Sequence, residues 1–259
     1  MIKFPKIILF FLALIFLMCP LGYAESVRII AEDDWFPYSG LTQNGIKGIA
    51  VDIVRETFKV EGIDIEFDVM NYDRGMLLVK DGQAIGCFDA PRTKEIEEVY
   101  YWHDEPMYVA NSFFYATSDY AGEIDSIKDI GNRKLGLTQG YGYGNAIDMD
   151  DDIDKVYSKS DEIILKKLIA KRVDFIVLYD RVADYLISKL NVQGKIKSVG
   201  LSESTGLYVV FSRKHPDGKK YCDIFSSGFR KIKSNGTYQK IWDEWDAKLK
   251  SKTSSTASK

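Results

Sequence analysis

The sequence predicts an α/β protein with two lobes and a ligand cleft between them. Two units of alternating apolar strands and amphipathic helices follow one another along the chain. Extended segments join the units near residues 115–119 and again near 201–206, so the chain would cross between the lobes twice. Because open α/β sheets bind ligands at the carboxyl ends of their strands, we expect the ligand between the lobes.

The first unit begins at residue 27. Its first helix carries Ile49, Ile53, Val54 and Phe58 on one face, and its second strand alternates apolar with acidic residues. The pattern predicts, in order, a strand at 27–31, a loop at 32–38, a helix at 48–60, a strand at 63–69, a helix at 74–80, a strand at 84–88 and a loop at 89–92.

The second unit repeats the alternation. A glycine-rich turn at 139–144 follows one of its strands and should lead into a helix. The pattern predicts strands at 112–116, 134–138, 173–178 and 207–212, and helices at 161–170, 181–190 and 219–249.

Residues 1–24 have the features of a signal peptide. Two lysines precede an apolar run at 7–18, and small residues stand where a signal peptidase reads, before Glu25. The run is shorter than the roughly 20 residues that span a bilayer. The alternatives are a membrane anchor and a lipoprotein signal at Cys19. The sequence predicts an exported, periplasmic protein.

The composition excludes several classes of function. A net charge of −3 without basic clusters argues against a nucleic-acid partner. The two histidines, His103 and His215, are far apart and have no cysteine companions, so we expect no metal site and no cofactor. Motifs of hydrolases and metalloproteases are missing, which argues against an enzyme. Cys87 and Cys222 remain after cleavage, and free buried thiols are preferred over a disulfide because Cys87 lies in an apolar strand.

Short motifs occur in a characteristic order along residues 27–245. The closing run Asn-Gly-Thr-Tyr-Gln-Lys-Ile-Trp-Asp-Glu-Trp at 235–245 is the most specific of them. The others are Trp-Phe-Pro-Tyr at 35–38, Gly-Ile-Lys-Gly-Ile-Ala-Val-Asp-Ile at 45–53, Phe-Asp-Ala-Pro-Arg-Thr at 88–93, Lys-Leu-Gly-Leu at 134–137 and Gly-Tyr-Gly-Tyr-Gly at 140–144. In this order the chain resembles the family 3 solute-binding proteins, the extracytoplasmic receptors of amino-acid ABC importers.

The resemblance implies a type II periplasmic-binding-protein fold, in which the terminal helix returns to the first lobe. It implies a monomer that traps a small polar, amino-acid-like ligand by hinged closure and presents it to an ABC permease. We therefore expect the first lobe to comprise 25–116 and 204–249, the second 117–203, and a disordered tail 250–259. The alternatives are the ligand-binding component of a signalling system and a dehydratase-like enzyme on the same fold.

The chain departs from the family pattern at two anchors. Family members that hold α-amino acids carry an arginine for the α-carboxylate where this chain has Ile96. They carry an aspartate for the ammonium group where this chain has Tyr179, with Asp180 one residue later. The resemblance therefore leaves both charged groups of an amino acid without their usual partners.

Candidate ligand-binding residues in the first lobe follow from the motifs. Trp35 stands where the family places a ring over the ligand, although a core aromatic is the alternative. Tyr38, in the same motif, is a further candidate. Arg92 is a candidate carboxylate clamp, since guanidinium and carboxylate form two charge-assisted hydrogen bonds. Its alternative is a surface arginine. Asp89 would take an ammonium group or hold Arg92 in place.

The second lobe offers the other wall. Tyr141 and Tyr143 lie in the glycine-rich turn, and a helix beginning near Gly144 would favour an anionic ligand group. Tyr179 or Asp180 would complete this wall. The alternative for each of these residues is a structural helix cap.

Overall fold

The computed structural model describes residues 27–256, and the predicted signal peptide at 1–24 lies outside them. Within that part of the chain, no helix combines the length and the apolar character that crossing a membrane requires. The strands are β1 (Val27–Glu32), β2 (Asp34–Trp35), β3 (Ser39–Thr42), β4 (Gly45–Lys47), β5 (Ile65–Met70), β6 (Gly86–Pro91), β7 (Tyr100–Trp102), β8 (Tyr108–Thr117), β9 (Lys134–Thr138), β10 (Asp154–Ser158), β11 (Phe175–Tyr179) and β12 (Ile196–Ser212). The α-helices are α1 (Ile49–Lys59), α2 (Tyr72–Lys80), α3 (Asn145–Asp148), α4 (Asp161–Ile169), α5 (Asp180–Lys189), α6 (Gly218–Ser234) and α7 (Thr237–Thr256).

One hydrogen-bonded path connects the main strands in the order β10–β9–β11–β8–β12–β6–β1–β5, with β7 beside β12. Parallel pairs lie at both ends of this path, β1 with β5 and β6, and β9 with β10 and β11. Strands β8 and β12 pair antiparallel in the middle. We call β1, β5, β6, α1, α2 and α6 the first lobe, and β9, β10, β11, α3, α4 and α5 the second lobe.

Strands β8 and β12 are longer than the sequence predicts. The apolar end of β12 was expected at 207–212, but the strand begins at Ile196 and pairs with β8 through polar residues. Ladder hydrogen bonds, which hydrophobic patterning does not reveal, stabilise this segment. Residues 112–115 already pair with β11, which belongs to the second lobe.

Three other elements differ from the sequence pattern. The loop expected at 32–38 includes β2 and leads into a three-stranded sheet, β2–β3–β4. Strand β10 is an additional edge strand with mostly polar residues, so its sequence carries little apolar signal. The C-terminal helix is two helices, because Gly236 adopts a left-handed conformation, with φ 82°. Helix α7 extends to Thr256, into the segment 250–259 for which we expect a disordered tail.

Both C-terminal helices pack on α1 of the first lobe, and α7 also touches the second lobe. Trp245 of α7 donates a hydrogen bond from Nε1 to Asp52 Oδ2 of α1, at 2.8 Å. Arg181 of α5 forms an ion pair with Asp246 at 2.6 Å, and its guanidinium lies 5.0 Å from the ring centre of Trp242. Helix α7 therefore contacts both lobes.

Both cysteines of the described chain, Cys87 and Cys222, are buried and free, which confirms the prediction of free thiols. Each lies in the first lobe, on β6 and on α6. Burial raises the pKa of the Cys87 thiol well above its ordinary value. Both thiols therefore behave as small apolar core groups.

The contact between α1 and α6 requires a glycine at position 228. A Cβ atom there would lie 2.2 Å from the backbone oxygen of Thr57, a rigid part of α1. Gly228→Ala should therefore push the helices apart and lower the free energy of unfolding by about 1–3 kcal/mol. Urea unfolding with an unchanged m-value measures this loss. Asp223→Ala, on the exposed face of α6, is the control and should cost under about 1 kcal/mol. Equal stability of Gly228→Ala and the parent would contradict the close approach.

Candidate functional site

A small cavity lies between the two lobes. Its volume is about 20 Å³, which is room for about one water molecule. The residues that line it are Glu32, Trp35, Tyr72, Asp89, Pro91, Tyr141, Gly142 and Tyr179. This volume is too small for a solute of amino-acid size.

The cavity residues come from strand ends. Glu32 is the last residue of β1, Asp89 lies near the end of β6, and Tyr179 ends β11. Tyr141 belongs to the turn that follows β9. The carboxyl ends of the parallel strands of both lobes thus face one another across the cavity, as open α/β sheets require at a ligand site.

Aromatic rings form most of the apolar wall. Trp35 is buried and stacks on Tyr38 with ring centres 4.6 Å apart, and Tyr38 stacks in turn on Tyr108 at 4.9 Å. Tyr179 meets Trp35 edge-on at 5.2 Å. Burial between these rings leaves the indole Nε1 of Trp35 without a hydrogen-bond partner. This stack fixes the orientation of Trp35 at the cavity.

Asp89 is a buried carboxyl group in the first-lobe wall. Its side chain is 5% exposed, and Tyr108 donates its hydroxyl hydrogen to Oδ1. The other oxygen, Oδ2, has no partner. Burial raises the pKa of Asp89 to about 7, and the Tyr108 hydrogen bond lowers it by less than burial raises it. The backbone of Asp89 has φ 69°, which few residues other than glycine adopt.

Two more buried carboxyl groups lie close by. Tyr141 donates its hydroxyl hydrogen to Glu32 Oε1, across the cleft. Burial is the main reason that the pKa of Glu32 is raised well above its ordinary value, and the nearby Asp89 and Asp161 raise it further. Asp161 begins α4 and accepts a hydrogen bond from the Thr138 hydroxyl. Burial raises the pKa of Asp161 to about 7.

The lobes touch through several contacts in this closed arrangement. Besides the Tyr141–Glu32 hydrogen bond, Tyr72 meets Tyr141 edge-on with ring centres 5.8 Å apart. Farther along the cleft, Phe36 packs against Tyr185 at 4.5 Å. The Arg181–Asp246 ion pair described above adds a contact outside the cavity. Separation of the lobes would break each of these contacts.

An outer groove of about 430 Å³ continues from the cavity. The two share Tyr72, Pro91, Tyr141 and Gly142. The groove adds apolar side chains and the carboxyl groups of Asp73, Glu95 and Asp148, together with the ammonium group of Lys80. Ile96 lies in its wall.

The structure does not bring every predicted site residue to the cavity. Trp35, Asp89, Tyr141 and Tyr179 line it directly, whereas Tyr38 supports Trp35 from behind. The remaining three, Arg92, Tyr143 and Asp180, are absent from the lining.

Arg92 is engaged elsewhere. Its guanidinium forms an ion pair with Glu97 at 2.8 Å and lies 5.6 Å from the ring centre of Trp102. Its side chain is 40% exposed. Asp89 does not hold Arg92, because the partner that Asp89 has is Tyr108. The pairing of Arg92 with a glutamate five residues along the chain is a local contact that the loop motif does not reveal.

The glycine-rich turn differs from the expectation of an anion site. Helix α3, which follows it, has only four residues. Tyr143 donates its backbone N–H to Asp148 Oδ2 at 2.9 Å, and the hydroxyl of Tyr143 accepts the backbone N–H of Thr138. The Glu203 carboxylate lies beside Gly144. Carboxylates of the chain itself thus occupy the surroundings in which we expected a ligand anion.

Asp180 acts at the start of α5. Its Oδ1 accepts the backbone N–H of Arg181 at 2.6 Å, so the side chain serves the helix terminus. Asp180 is the first residue of α5 and not its N-cap, which is Tyr179, so its side chain does not form the helix cap that the sequence left open as the alternative. Tyr179, one residue earlier, is the residue from the end of β11 that lines the cavity.

Four cavity residues were not among the sequence-based candidates: Glu32, Tyr72, Pro91 and Gly142. Glu32 follows a predicted strand, and its place at a strand end was the available signal. Tyr72 begins α2, and only tertiary packing brings it against Tyr141. Within residues 27–256, no cluster of histidine, cysteine and acidic side chains has the arrangement of a metal site.

Known proteins share the family and the fold of this chain. The model of the bacterial extracellular solute-binding proteins, family 3, matches residues 27–248. No curated protein sequence matches the chain. A mutant of ArgBP from T. maritima is 17% identical with a TM-score of 0.75, over 86% of this chain and 95% of that one.

Two further solved structures have the same fold. The histidine kinase sensor domain with similarity to periplasmic binding proteins is 19% identical, with a TM-score of 0.74 over 85% of this chain and 96% of that one. The arginine-bound substrate-binding protein AbpA of an amino acid ABC transporter, from Streptococcus pneumoniae, is 16% identical, with a TM-score of 0.73 over 88% and 96%. The two-lobed, periplasmic-binding-protein-like fold predicted from the sequence is therefore confirmed.

Burial of the carboxyl groups predicts an unusual dependence of stability on pH. In the folded protein Asp89 and Asp161 have pKa values of about 7, against an ordinary value of 3.8. Between these values the folded state holds protons that the unfolded state has released. The free energy of unfolding should therefore fall as the pH rises from about 4 to about 7, with an upper limit of about 4 kcal/mol for each carboxyl group.

Asp89→Asn tests this dependence. An asparagine keeps an acceptor for Tyr108 but has no charge to bury, so the variant should lose less stability than the parent between pH 4 and 7. Urea unfolding at a series of pH values measures the difference. Asp154→Asn, an exposed carboxyl group on β10, controls for the loss of a negative charge. A pH profile of Asp89→Asn that matches the parent would show that Asp89 is not buried as described.

Proposed function

Because this chain belongs to the bacterial extracellular solute-binding proteins of family 3, we propose that it captures a small polar, amino-acid-like metabolite in the periplasm and delivers it to an ABC importer. It acts as a monomer that closes its two lobes on the solute. An ABC permease in the membrane is the partner that recognises the closed form. The chain performs no catalysis.

The cavity between the lobes is the observation that supports this proposal most. Its walls come from strand ends of both lobes, so neither lobe alone forms the site. Solute bound to one lobe would gain contacts only when the other lobe closes. A ligand that binds the closed form more tightly than the open one shifts the population toward closure. The enclosed form is then a signal that the site is occupied.

The hinge of this movement would be the middle of the β8–β12 pair. Residues 112–115 pair with β11 of the second lobe, and residues 207–208 pair with β6 of the first. We propose that the lobes divide between these points, near 109–111 and 203–206. The sequence-based boundary at 203–204 falls within the second of these positions, whereas the boundary at 116–117 lies beyond the first and leaves residues 112–115 in the other lobe.

A sensory role is the second candidate. The sensor domain of a histidine kinase shares the fold over 85% of this chain. The same closure would then report the solute to a separate signalling partner instead of an importer. Uptake of labelled solute separates the two roles, because only an importer component is needed for accumulation in the cell.

A solute screen tests the proposal. The purified protein is heated with amino acids, polyamines and small carboxylates, and a solute at 100 times its dissociation constant should add about 2.7 kcal/mol of stability. Small-angle scattering with that solute should report lobe closure relative to the solute-free protein. Cells that lack the protein should lose uptake of the solute. If no solute stabilises the protein, the binding function is wrong, and if uptake is unchanged, the importer role is wrong.

Tyr141→Phe tests the contribution of lobe closure. The variant keeps the ring but removes the hydroxyl that reaches Glu32 in the other lobe. Loss of a hydrogen bond to a charged or chargeable group costs about 1.5–3 kcal/mol, which corresponds to about tenfold or more in affinity. Calorimetric titration with the solute found in the screen measures this loss. Tyr157→Phe, an exposed tyrosine on β10, is the matched control and should bind as the parent does. Equal affinity of Tyr141→Phe and the parent would contradict the role of this contact.

A further inference from the structure

The lining of the cavity has an unbalanced charge. Two of its eight residues, Glu32 and Asp89, carry carboxyl groups, and none is lysine, arginine or histidine. The cation that the sequence suggested, Arg92, is paired with Glu97 outside the lining. An amino acid in this cavity would bring a carboxylate into a wall that already contains two carboxyl groups.

The unpaired polar atoms of the wall favour a donor on the solute. Asp89 Oδ2 is buried and accepts no hydrogen bond, so it lacks a donor. The unpaired donor in the wall, Trp35 Nε1, is a single neutral group. A buried carboxylate needs a charged partner and additional hydrogen bonds to offset its loss of water. The wall meets the requirement of a solute ammonium group far better than that of a solute carboxylate.

The rest of the wall is also suited to a positive charge. Trp35, Tyr72, Tyr141 and Tyr179 surround the cavity, and the faces of such rings attract cations. Burial raises the pKa of both Glu32 and Asp89. A bound cation favours the ionised carboxyl group, and so would restore the charge that burial suppresses.

The outer groove extends this chemistry. Ile96 contributes apolar surface to its wall, beside the carboxyl groups of Glu95 and Asp148. The groove lining has three carboxyl groups, those of Asp73, Glu95 and Asp148, against the single ammonium group of Lys80. An aliphatic chain that leaves the cavity would therefore meet apolar surface with acidic groups beyond it.

We propose that the solute is an organic cation without a carboxylate, an aliphatic amine or guanidinium compound, whose charged group binds between Glu32 and Asp89. This inference rests on the proposed solute-binding function and names its ligand class. Glu32 and Asp89 accept hydrogen bonds from the cationic group, and the aromatic rings enclose it. The aliphatic chain lies toward the outer groove.

Matched pairs of compounds test the ligand class. Agmatine is arginine without its α-carboxylate, and cadaverine is lysine without its α-carboxylate. Calorimetric titration of the full protein at pH 8 compares each amine with its amino acid. We expect agmatine or cadaverine to bind at least about a hundredfold more tightly than the matched amino acid, because the cavity leaves a carboxylate without a partner.

Asp89→Asn and Glu32→Gln test the two carboxyl groups. Each variant keeps an acceptor for its tyrosine partner and should weaken amine binding by about tenfold or more. Asp154→Asn, exposed on β10, should bind the amine as the parent does. Melting temperatures of the solute-free variants verify folding, so a loss of affinity in a folded variant is a loss at the site.

The outcomes separate the ligand class from the binding function. If L-arginine or L-lysine binds as tightly as its amine, or if Asp89→Asn binds the amine as the parent does, the inference is overturned while the binding function stands. A neutral or anionic solute that stabilises the protein when neither amine does overturns it in the same way. If no compound of the whole screen binds, the proposed function itself fails, and the inference fails with it.

Discussion

The antiparallel pairing of β8 with β12 is the constraint on which the rest of the structure depends. It joins ten residue pairs in the middle of the sheet, with irregular register near residues 198–203. Because both chain crossings lie side by side in this ribbon, the two lobes are connected there through backbone hydrogen bonds. Two-stranded ribbons twist more readily than wide sheets. The ribbon therefore holds the strand ends of the lobes opposite one another and leaves relative rotation as the easiest movement.

The cleft formed in this way contains groups that oppose its closure. Stacked rings make the wall apolar, yet Glu32, Asp89 and Asp161 are buried within or behind it. Hydrogen bonds from Tyr141, Tyr108 and Thr138 satisfy one oxygen of each group, and burial still raises all three pKa values. Burial of these carboxyl groups thus carries an electrostatic cost. A solute that supplies positive charge removes this cost, so ligand binding and lobe closure are coupled by the same carboxyl groups.

Contacts outside the cavity add little to closure by comparison. The Arg181–Asp246 ion pair joins the lobes, but both side chains are more than a third exposed, and such pairs contribute about 0–1 kcal/mol. Phe36 and Tyr185 add an aromatic contact worth about 0.5–1.5 kcal/mol beyond the area that they bury. These peripheral contacts guide the lobes into register. Most of the free energy that distinguishes an occupied closed form from an empty one must therefore come from the cavity itself.

The sequence by itself determined the two α/β units, their strands and helices and the free thiols, because apolar periodicity and buried strands are local patterns. The resemblance to the family indicated Trp35, and the position of Asp89 after a predicted strand indicated that residue, since open sheets bind ligands at strand ends. Tertiary structure alone decided which polar groups meet. Arg92 pairs with Glu97 although its loop motif suggests a ligand clamp, and Tyr141 reaches Glu32 across 109 residues of chain. The charge of the site is a sum over side chains from distant strand ends, and no local pattern in the sequence contains that sum.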